Sequence, residues 1–101
     1  MNRIALSCLL GAFAAAAPAE DLIKSLPDAD PFDSDTYSGY LKVTETKQLH
    51  YMFTESLSDP ANDPLIIWFN GGPGCSSMLG FMQENGPRII DDGETTIKKN
   101  T

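Results

Sequence analysis

The chain has 101 residues, of which 42% are hydrophobic and 21% charged, and its formal net charge at pH 7 is -7. This composition is typical of one small globular domain or of part of a larger one. The negative charge argues against nucleic acid or an anionic membrane surface as a partner, because the long-range field of the protein would repel both.

The amino-terminal residues 1–17 have the pattern of a secretory signal peptide. A short positive start containing Arg3 is followed by an apolar run and then by small residues suited to cleavage. A membrane-spanning helix needs about 20 apolar residues, so we expect this shorter run to be removed and to leave no membrane anchor. Cleavage would also remove Cys8, leaving Cys75 as a single cysteine, which suggests a missing partner or a free thiol.

Residues 18–36 show no clear period and are predicted to form an extended lead-in to the domain that occupies residues 37–101. Their aspartates are spaced in a way that resembles a calcium loop, but the glycine and the terminal glutamate of an EF-hand loop are absent. We therefore expect a solvated acidic loop and no metal site.

Two segments rich in β-forming residues, 37–43 and 49–55, predict an antiparallel hairpin joined by the polar residues 44–48. Apolar residues alternate with mixed ones in the second segment, so we expect His50 on the mixed face. A turn at residues 58–64 follows, because its two Asp-Pro pairs are incompatible with a helix.

Residues 65–69 are five consecutive apolar residues, which predicts a strand covered on both faces. Gly71, Gly72 and Gly74 come next and allow backbone angles and close approaches that a Cβ atom would prevent. The pattern therefore predicts a buried strand that ends in a glycine turn.

A helix of two to three turns is predicted after the glycine turn. Residues 78–82 carry apolar side chains at helical spacing, Ser76 or Ser77 could cap the helix, and Asn-Gly-Pro at residues 85–87 would end it. Two short strands around a turn at residues 91–93 are expected to follow. One short helix covers at most one face of the buried strand, so the elements indicate an incomplete α/β sheet.

Three kinds of glycine loop can be compared with this turn. A phosphate-binding P-loop needs a lysine before the hydroxyl residue, and a dinucleotide loop needs a glycine at position 77; both are absent, so we expect no cofactor. In α/β-hydrolases, a glycine turn between an inner strand and a helix supplies one oxyanion donor, whereas the nucleophile lies later in a G-x-S-x-G turn. The layout fits that role and fits a simple tight turn equally well. No G-x-S-x-G motif is present.

The motif Trp-Phe-Asn-Gly-Gly-Pro-Gly-Cys-Ser-Ser at residues 68–77 is long and specific. Together with Tyr-Ser-Gly-Tyr at 37–40, Leu-His-Tyr at 49–51 and Glu-Asn-Gly-Pro at 84–87, it resembles the start of the serine carboxypeptidases, the family of cathepsin A and the yeast vacuolar carboxypeptidase. The resemblance implies an α/β-hydrolase with a Ser, Asp, His triad that removes C-terminal residues from peptides. It further implies action in vacuoles, lysosomes or secretions.

The resemblance also implies a site for the C-terminal carboxylate of the substrate. Asn70, the backbone amide of Gly71 and Glu84 match the groups that bind this carboxylate, and Trp68 matches the aromatic residue that supports the site. A glutamic acid donates a hydrogen bond to a carboxylate only while it is protonated, so this role for Glu84 implies activity at acidic pH.

Two further positions acquire roles from the resemblance. Gly72 matches the glycine whose amide forms half of the oxyanion hole, and Cys75 matches a cysteine that pairs with one far downstream. Met52 and Arg88 depart from the family pattern, since the family commonly has an aromatic residue at the first position and an apolar residue at the second.

Taken together, the sequence predicts the N-terminal part of an α/β-hydrolase of the serine carboxypeptidase type that carries substrate-binding and oxyanion residues without the triad. We expect the chain alone to be inactive and peptide C-termini to be the substrate of the complete enzyme. A homodimer is one possible assembly of that enzyme. The alternative is a catalytically inactive secreted interaction module derived from a truncated paralogue. An open reading frame after Thr101 that encodes the triad would distinguish the enzyme from the module.

Overall fold

A computed structural model describes residues 17–101. Cys8 and all but the last residue of the predicted signal peptide lie outside the described residues. Within the described part, no helix is long and apolar enough to span a membrane.

The described chain is a small mixed α/β structure with two separate antiparallel sheets and one short helix. Strands β1 and β2 form the first sheet, and strands β3 and β4 form the second. The elements in chain order are a 3₁₀ turn at Ala19–Asp21, β1 at Thr36–Lys42, β2 at Gln48–Thr54, α1 at Met78–Gln83, β3 at Arg88–Ile89 and β4 at Lys98–Lys99.

The predicted β1–β2 hairpin is confirmed, with strand ends within one residue of the prediction. Its register pairs Thr36 with Thr54 and continues for seven residues in each strand. The rings of Tyr37 and Phe53 stack at 5.9 Å between centroids, and Tyr37 is buried. The alternation of apolar and mixed residues therefore does divide β2 into two faces, and His50 lies on the mixed one, bonded to Ser38.

The first part of the lead-in attaches to this hairpin. Leu22 forms an isolated antiparallel bridge with Tyr37, and the hydroxyl of Tyr51 donates a 2.7 Å hydrogen bond to the carboxylate of Asp21. This hydrogen bond, followed by desolvation and the negative charge of Asp21, raises the pKa of Tyr51 to about 12. A Cβ at Gly39 would overlap the Asp21 carboxylate, so only glycine allows the lead-in to lie this close to β1.

The predicted buried strand at residues 65–69 is not a strand in the structure. Its five residues are between 51% and 82% exposed. Strand pairing requires a neighbour for the backbone N–H and C=O groups. Apart from the isolated bridge between Leu22 and Tyr37, each described strand is paired only within its own hairpin. Among residues 17–101, the apolar run therefore has neither a paired strand nor side chains that cover it.

Helix α1 begins where the sequence predicted but is shorter, with six residues and thus fewer than two turns. Ser77 occupies the N-cap position without a side-chain capping bond, and the hydroxyl of Ser76 instead accepts from the N–H of Met78 at 3.2 Å. The helix ends at Gln83, and Glu84 is the C-cap, where the chain turns back toward β3. The N–H groups of Glu84 and Asn85 both donate to the carbonyl of Gly80, at 3.1 and 2.7 Å.

Arg88 connects the second sheet to the lead-in. Its side chain is only 4% exposed, and its guanidinium donates to the backbone carbonyl of Pro31 and lies 5.9 Å from the ring centroid of Phe32. The carboxylate of Asp33 is 3.8 Å from Arg88 Nη1 and 3.1 Å from Lys99 Nζ. Arg88, which departs from the family pattern, is therefore a buried cation that contacts residues 31–33 of the lead-in.

Candidate carboxylate and oxyanion site

The glycine turn adopts the backbone conformation that its sequence predicted. Gly71, Gly72 and Gly74 have φ values of 77°, 125° and 93°, in the region that side chains disfavour, and the Gly72–Pro73 peptide bond is cis. A Cβ at Gly72 would lie 3.0 Å from the backbone nitrogen of Cys75 and 3.1 Å from its sulfur atom. Position 72 is thus restricted to glycine both by its dihedral angle and by the space around it.

Asn70 lies directly before the turn and is held by hydrogen bonds from both sides. Its side-chain oxygen Oδ1 accepts from the indole Nε1 of Trp68 at 3.0 Å and from the backbone N–H of Gly80 at 3.1 Å. Its own N–H donates to the hydroxyl of Ser77 at 3.2 Å. The hydroxyl that sequence reasoning assigned to helix capping therefore supports Asn70.

These contacts determine which way the Asn70 amide faces. Two donors converge on Oδ1, so the oxygen must be the atom directed at Trp68 and Gly80. The Nδ2 group, which carries two N–H donors, makes no hydrogen bond to any of residues 17–101. The side chain is therefore oriented to present free donors, which is the arrangement that an anion requires.

Gly80 is a residue of the candidate site that sequence reasoning missed. A Cβ there would overlap the indole nitrogen of Trp68 and would lie 3.0 Å from Asn70 Oδ1. Glycine inside a helix costs about 1 kcal/mol relative to alanine, and this cost was the signal in the sequence that something packs closely against α1. The absence of a side chain at position 80 is what lets Trp68 and Asn70 lie against the helix.

Glu84 lies at the C-terminal end of the same helix. Its side chain is exposed, and its carboxylate makes no hydrogen bond or ion pair with the described residues. Its backbone N–H donates to the carbonyl of Gly80, whose own N–H donates to Asn70. The structure thus connects Asn70 and Glu84 through Gly80 but does not bring their side chains into a hydrogen bond.

The serines of the glycine turn have no catalytic partner in the described part of the chain. The hydroxyl groups of Ser76 and Ser77 accept from Met78 and Asn70 N–H groups. His50 instead contacts Ser38 on β1, at 2.9 Å between Nε2 and Oγ. Cys75 is exposed and is not in a disulfide with a described residue.

Comparisons with known proteins agree on one family. The family model described as serine carboxypeptidase matches residues 27–101. The chain is 45% identical over 86 residues to the lysosomal protective protein of Mus musculus, which covers 84% of this chain and 18% of that protein. It is 47% identical over 90 residues to a serine carboxypeptidase of Caenorhabditis elegans, covering 87% of this chain and 19% of the relative.

A fungal relative extends the comparison. Carboxypeptidase Y of Candida albicans is 54% identical over 71 residues, which covers 68% of this chain and 13% of that protein. The chain thus spans less than a fifth of the length of these relatives. Because the family model covers most of the chain, the chain belongs to the serine carboxypeptidase family.

Proposed function

We propose that this chain is the carboxylate-binding and oxyanion-binding part of a serine carboxypeptidase that releases C-terminal residues from peptides. The observation that carries the proposal is the fixed orientation of Asn70, whose side-chain oxygen is occupied by two donors while its Nδ2 group is free. Membership of the serine carboxypeptidase family favours this enzyme over a stand-alone interaction module.

The C-terminal carboxylate is the feature that distinguishes the end of a peptide from its interior. In the proposed site, one oxygen of that carboxylate accepts from Asn70 Nδ2 and the other from the N–H of Gly71. Both donors belong to consecutive residues, and the space beside Gly71 is open, since a Cβ built there would meet no atom within 4 Å. Hydrogen bonds to a charged acceptor are roughly twice as strong as neutral ones, so two such donors provide recognition of the free C-terminus.

Gly72 is proposed to supply one donor of the oxyanion hole. Removal of one such donor costs about 2.7 to 4 kcal/mol of transition-state stabilisation. Gly72 follows the carboxylate-binding residues immediately, and this adjacency is consistent with a scissile carbonyl one residue away from the recognised terminus, as release of a single residue requires. The nucleophile, its histidine and its aspartate would come from the remainder of an α/β-hydrolase domain.

The same remainder would give residues 65–69 their sheet neighbours. An apolar run that precedes an oxyanion turn corresponds to an inner strand in that fold. The exposed side chains of the run would then be covered, and Trp68 would be held from both sides. We therefore propose that residues 65–69 form a strand in the complete domain.

Glu84 is proposed to add a third contact to the substrate carboxylate. Its own carboxyl group has no competing partner among residues 17–101, so it is available to the substrate. Two carboxylates repel, and the contact forms only when a proton is shared between them. We therefore propose activity at acidic pH, after entry into the secretory pathway through the signal peptide, in a lysosome or vacuole or outside the cell.

The proposal is tested in the complete gene product by replacing Asn70 with Asp. N70D keeps the size of the side chain but replaces the free donors with a negative oxygen. We expect KM for a blocked dipeptide with a free C-terminus to rise by about a hundredfold, because charge-assisted hydrogen bonds are lost and repulsion is added. The matched control is N62D, the same change in an exposed turn where Asn62 contacts only Asp59.

Two results would overturn the proposal. One is an unchanged KM in N70D. The other is a complete gene product that releases no C-terminal amino acid, or whose release of that amino acid resists a serine-directed inhibitor.

A further inference from the structure

Asn100 forms hydrogen bonds to the turn that carries Glu84. The side-chain Nδ2 of Asn100 donates to the carbonyl of Glu84 and to the carbonyl of Gly86, at 2.9 Å in each case. The backbone N–H of Asn100 donates to the carbonyl of Pro87 at 3.1 Å. One residue therefore binds three of the four carbonyls in the segment from residue 84 to residue 87.

The β3–β4 register brings Asn100 to this place. Arg88 pairs with Lys99, so the residue that follows β4 lies opposite the residue that precedes β3. Asn100 thus faces Pro87, and its side chain extends back along the turn toward Glu84. The second hairpin has only two residues in each strand, yet it is sufficient to deliver this side chain.

The turn itself is tightly folded against the end of α1. A Cβ at Gly86 would overlap the carbonyl oxygen of Phe81 and lie 2.9 Å from its carbonyl carbon. Glu84 has a φ of -131° and a ψ of -71°, outside the helical and extended regions. The helix contacts one side of the turn through the Gly80 carbonyl, and Asn100 contacts the other side.

We infer that Asn100 is a positioning residue that sets the direction of the Glu84 side chain through hydrogen bonds to the peptide groups around it. The inference rests on the proposed role of Glu84 in binding the substrate carboxylate. The bond to the Glu84 carbonyl fixes the peptide plane after Glu84, and the Gly80 contact fixes the plane before it. With both planes fixed, the Cα–Cβ bond of Glu84 has one direction.

The experiment compares N100A with N62A in the complete gene product. Both changes remove an asparagine amide that donates within a turn, but Asn62 donates to Asp59, far along the chain from the Glu84 turn. We expect N100A to raise KM for a blocked dipeptide about tenfold, with kcat within about twofold, because ground-state and transition-state binding weaken together. A substrate with an amidated C-terminus should be affected less than twofold. N62A should leave both substrates unchanged.

A double substitution separates positioning from general support of the fold. In an E84A background, N100A should change KM by less than about twofold, because two residues that act through one contact are not additive. If N100A instead weakens both substrates equally, or retains its full effect in the E84A background, the positioning role is refuted. Thermal unfolding of each variant shows how much of any loss is due to instability.

The same set of variants distinguishes this inference from the function on which it rests. If E84A leaves KM for the free-acid substrate unchanged, the proposed role of Glu84 fails, and the positioning role fails with it. If E84A raises KM but N100A does not, Glu84 keeps its role and Asn100 loses its own.

Discussion

The indole nitrogen of Trp68 donates a 3.0 Å hydrogen bond to the side-chain oxygen of Asn70, two residues later in the chain. Trp68 is half exposed, so this bond, rather than burial, is its most specific contact in the described structure. The tryptophan acts as a donor that orients an amide. The indole N–H of Trp68 therefore contributes to the orientation of Asn70 separately from any packing by the ring.

Trp68→Phe removes this donor and keeps an aromatic ring. We expect KM for a free-acid dipeptide in the complete enzyme to rise about three- to tenfold, because a neutral hydrogen bond is worth about 0.5 to 1.5 kcal/mol. The effect should be smaller than that of N70D, since the Gly80 N–H still orients the amide. A KM equal to that of the wild type would show that the indole nitrogen has no part in orienting Asn70.

Gly80→Ala has two effects on protein stability, and they are opposite in sign. Helix propensity alone would stabilise the protein by about 1 kcal/mol. The new Cβ would overlap Trp68 Nε1 and crowd Asn70 Oδ1, so we expect a lower melting temperature together with a higher KM. The measurements are thermal unfolding and peptide kinetics. A rise in melting temperature would mean that Trp68 moves aside at little cost.

Local patterns were enough to predict part of this structure. The alternation in β2 and the need for positive φ in the glycine turn depend on neighbouring residues, and both predictions were confirmed. The apolar spacing in α1 predicted where the helix begins, but the helix has six residues and is shorter than the two to three turns expected. The strand predicted at residues 65–69 was not confirmed. An apolar run indicates burial, but it does not specify which segment covers it.

The candidate site shows the same division. The motif from Trp68 to Ser77 indicated Asn70 and the glycines as candidate site residues, and their roles stay predictions. The hydrogen bonds of Asn70 could not be predicted, because they depend on how α1 packs against the motif. Asn100 could not be found from the sequence, because its contact with Glu84 depends on the register of β3 with β4. This contact joins residues that are 16 positions apart, and the local sequence around either residue does not specify it.

Arg88→Met tests the attachment of the lead-in. Methionine keeps the apolar stem and removes the guanidinium, which donates to the Pro31 carbonyl. We expect the free energy of unfolding to fall by about 1 to 3 kcal/mol, because the lost hydrogen bond is charged and buried. Cleavage by trypsin after the exposed Lys24 should become faster as the lead-in detaches.

Lys99→Met is the matched control for Arg88. Lys99 also contacts Asp33, at 3.1 Å, but its side chain is more than half exposed. Exposed ion pairs contribute about 0.2 to 1 kcal/mol at most, so this variant should remain close to the wild type. Equal losses in the two variants would contradict a special role for the buried guanidinium.

Asp63 provides a prediction about pH. The hydroxyl of Ser56 and the N–H of Asp59 donate to its carboxylate, and these hydrogen bonds lower the pKa of Asp63. A lowered pKa in the folded state gives stabilisation that is complete above the unfolded value of about 3.9 and is lost as pH falls through the folded value. The turn at residues 59–63 should therefore keep its stabilisation at the mildly acidic pH proposed for activity.

NMR titration of Asp63 provides the measurement. Ser56→Ala should raise the pKa of Asp63 toward its usual range, because the largest of the lowering contacts is gone. Ser58→Ala is the control, since the Ser58 hydroxyl makes no hydrogen bond to this carboxylate in the described structure. An Asp63 titration that is the same in S56A and wild type would contradict the assignment.

Residues 18–101 alone should release no C-terminal amino acid from a blocked dipeptide. The sequence contains no G-x-S-x-G turn, the hydroxyl groups of Ser76 and Ser77 accept backbone N–H groups, and His50 contacts Ser38 instead of either of them. An oxyanion donor without a nucleophile has no acyl intermediate to stabilise. The assay measures free amino acid over hours at acidic pH, with the Candida albicans carboxypeptidase Y as a positive control. Reproducible release that a serine-directed inhibitor abolishes would require a nucleophile within this chain, and Ser38 beside His50 would be the first serine to replace.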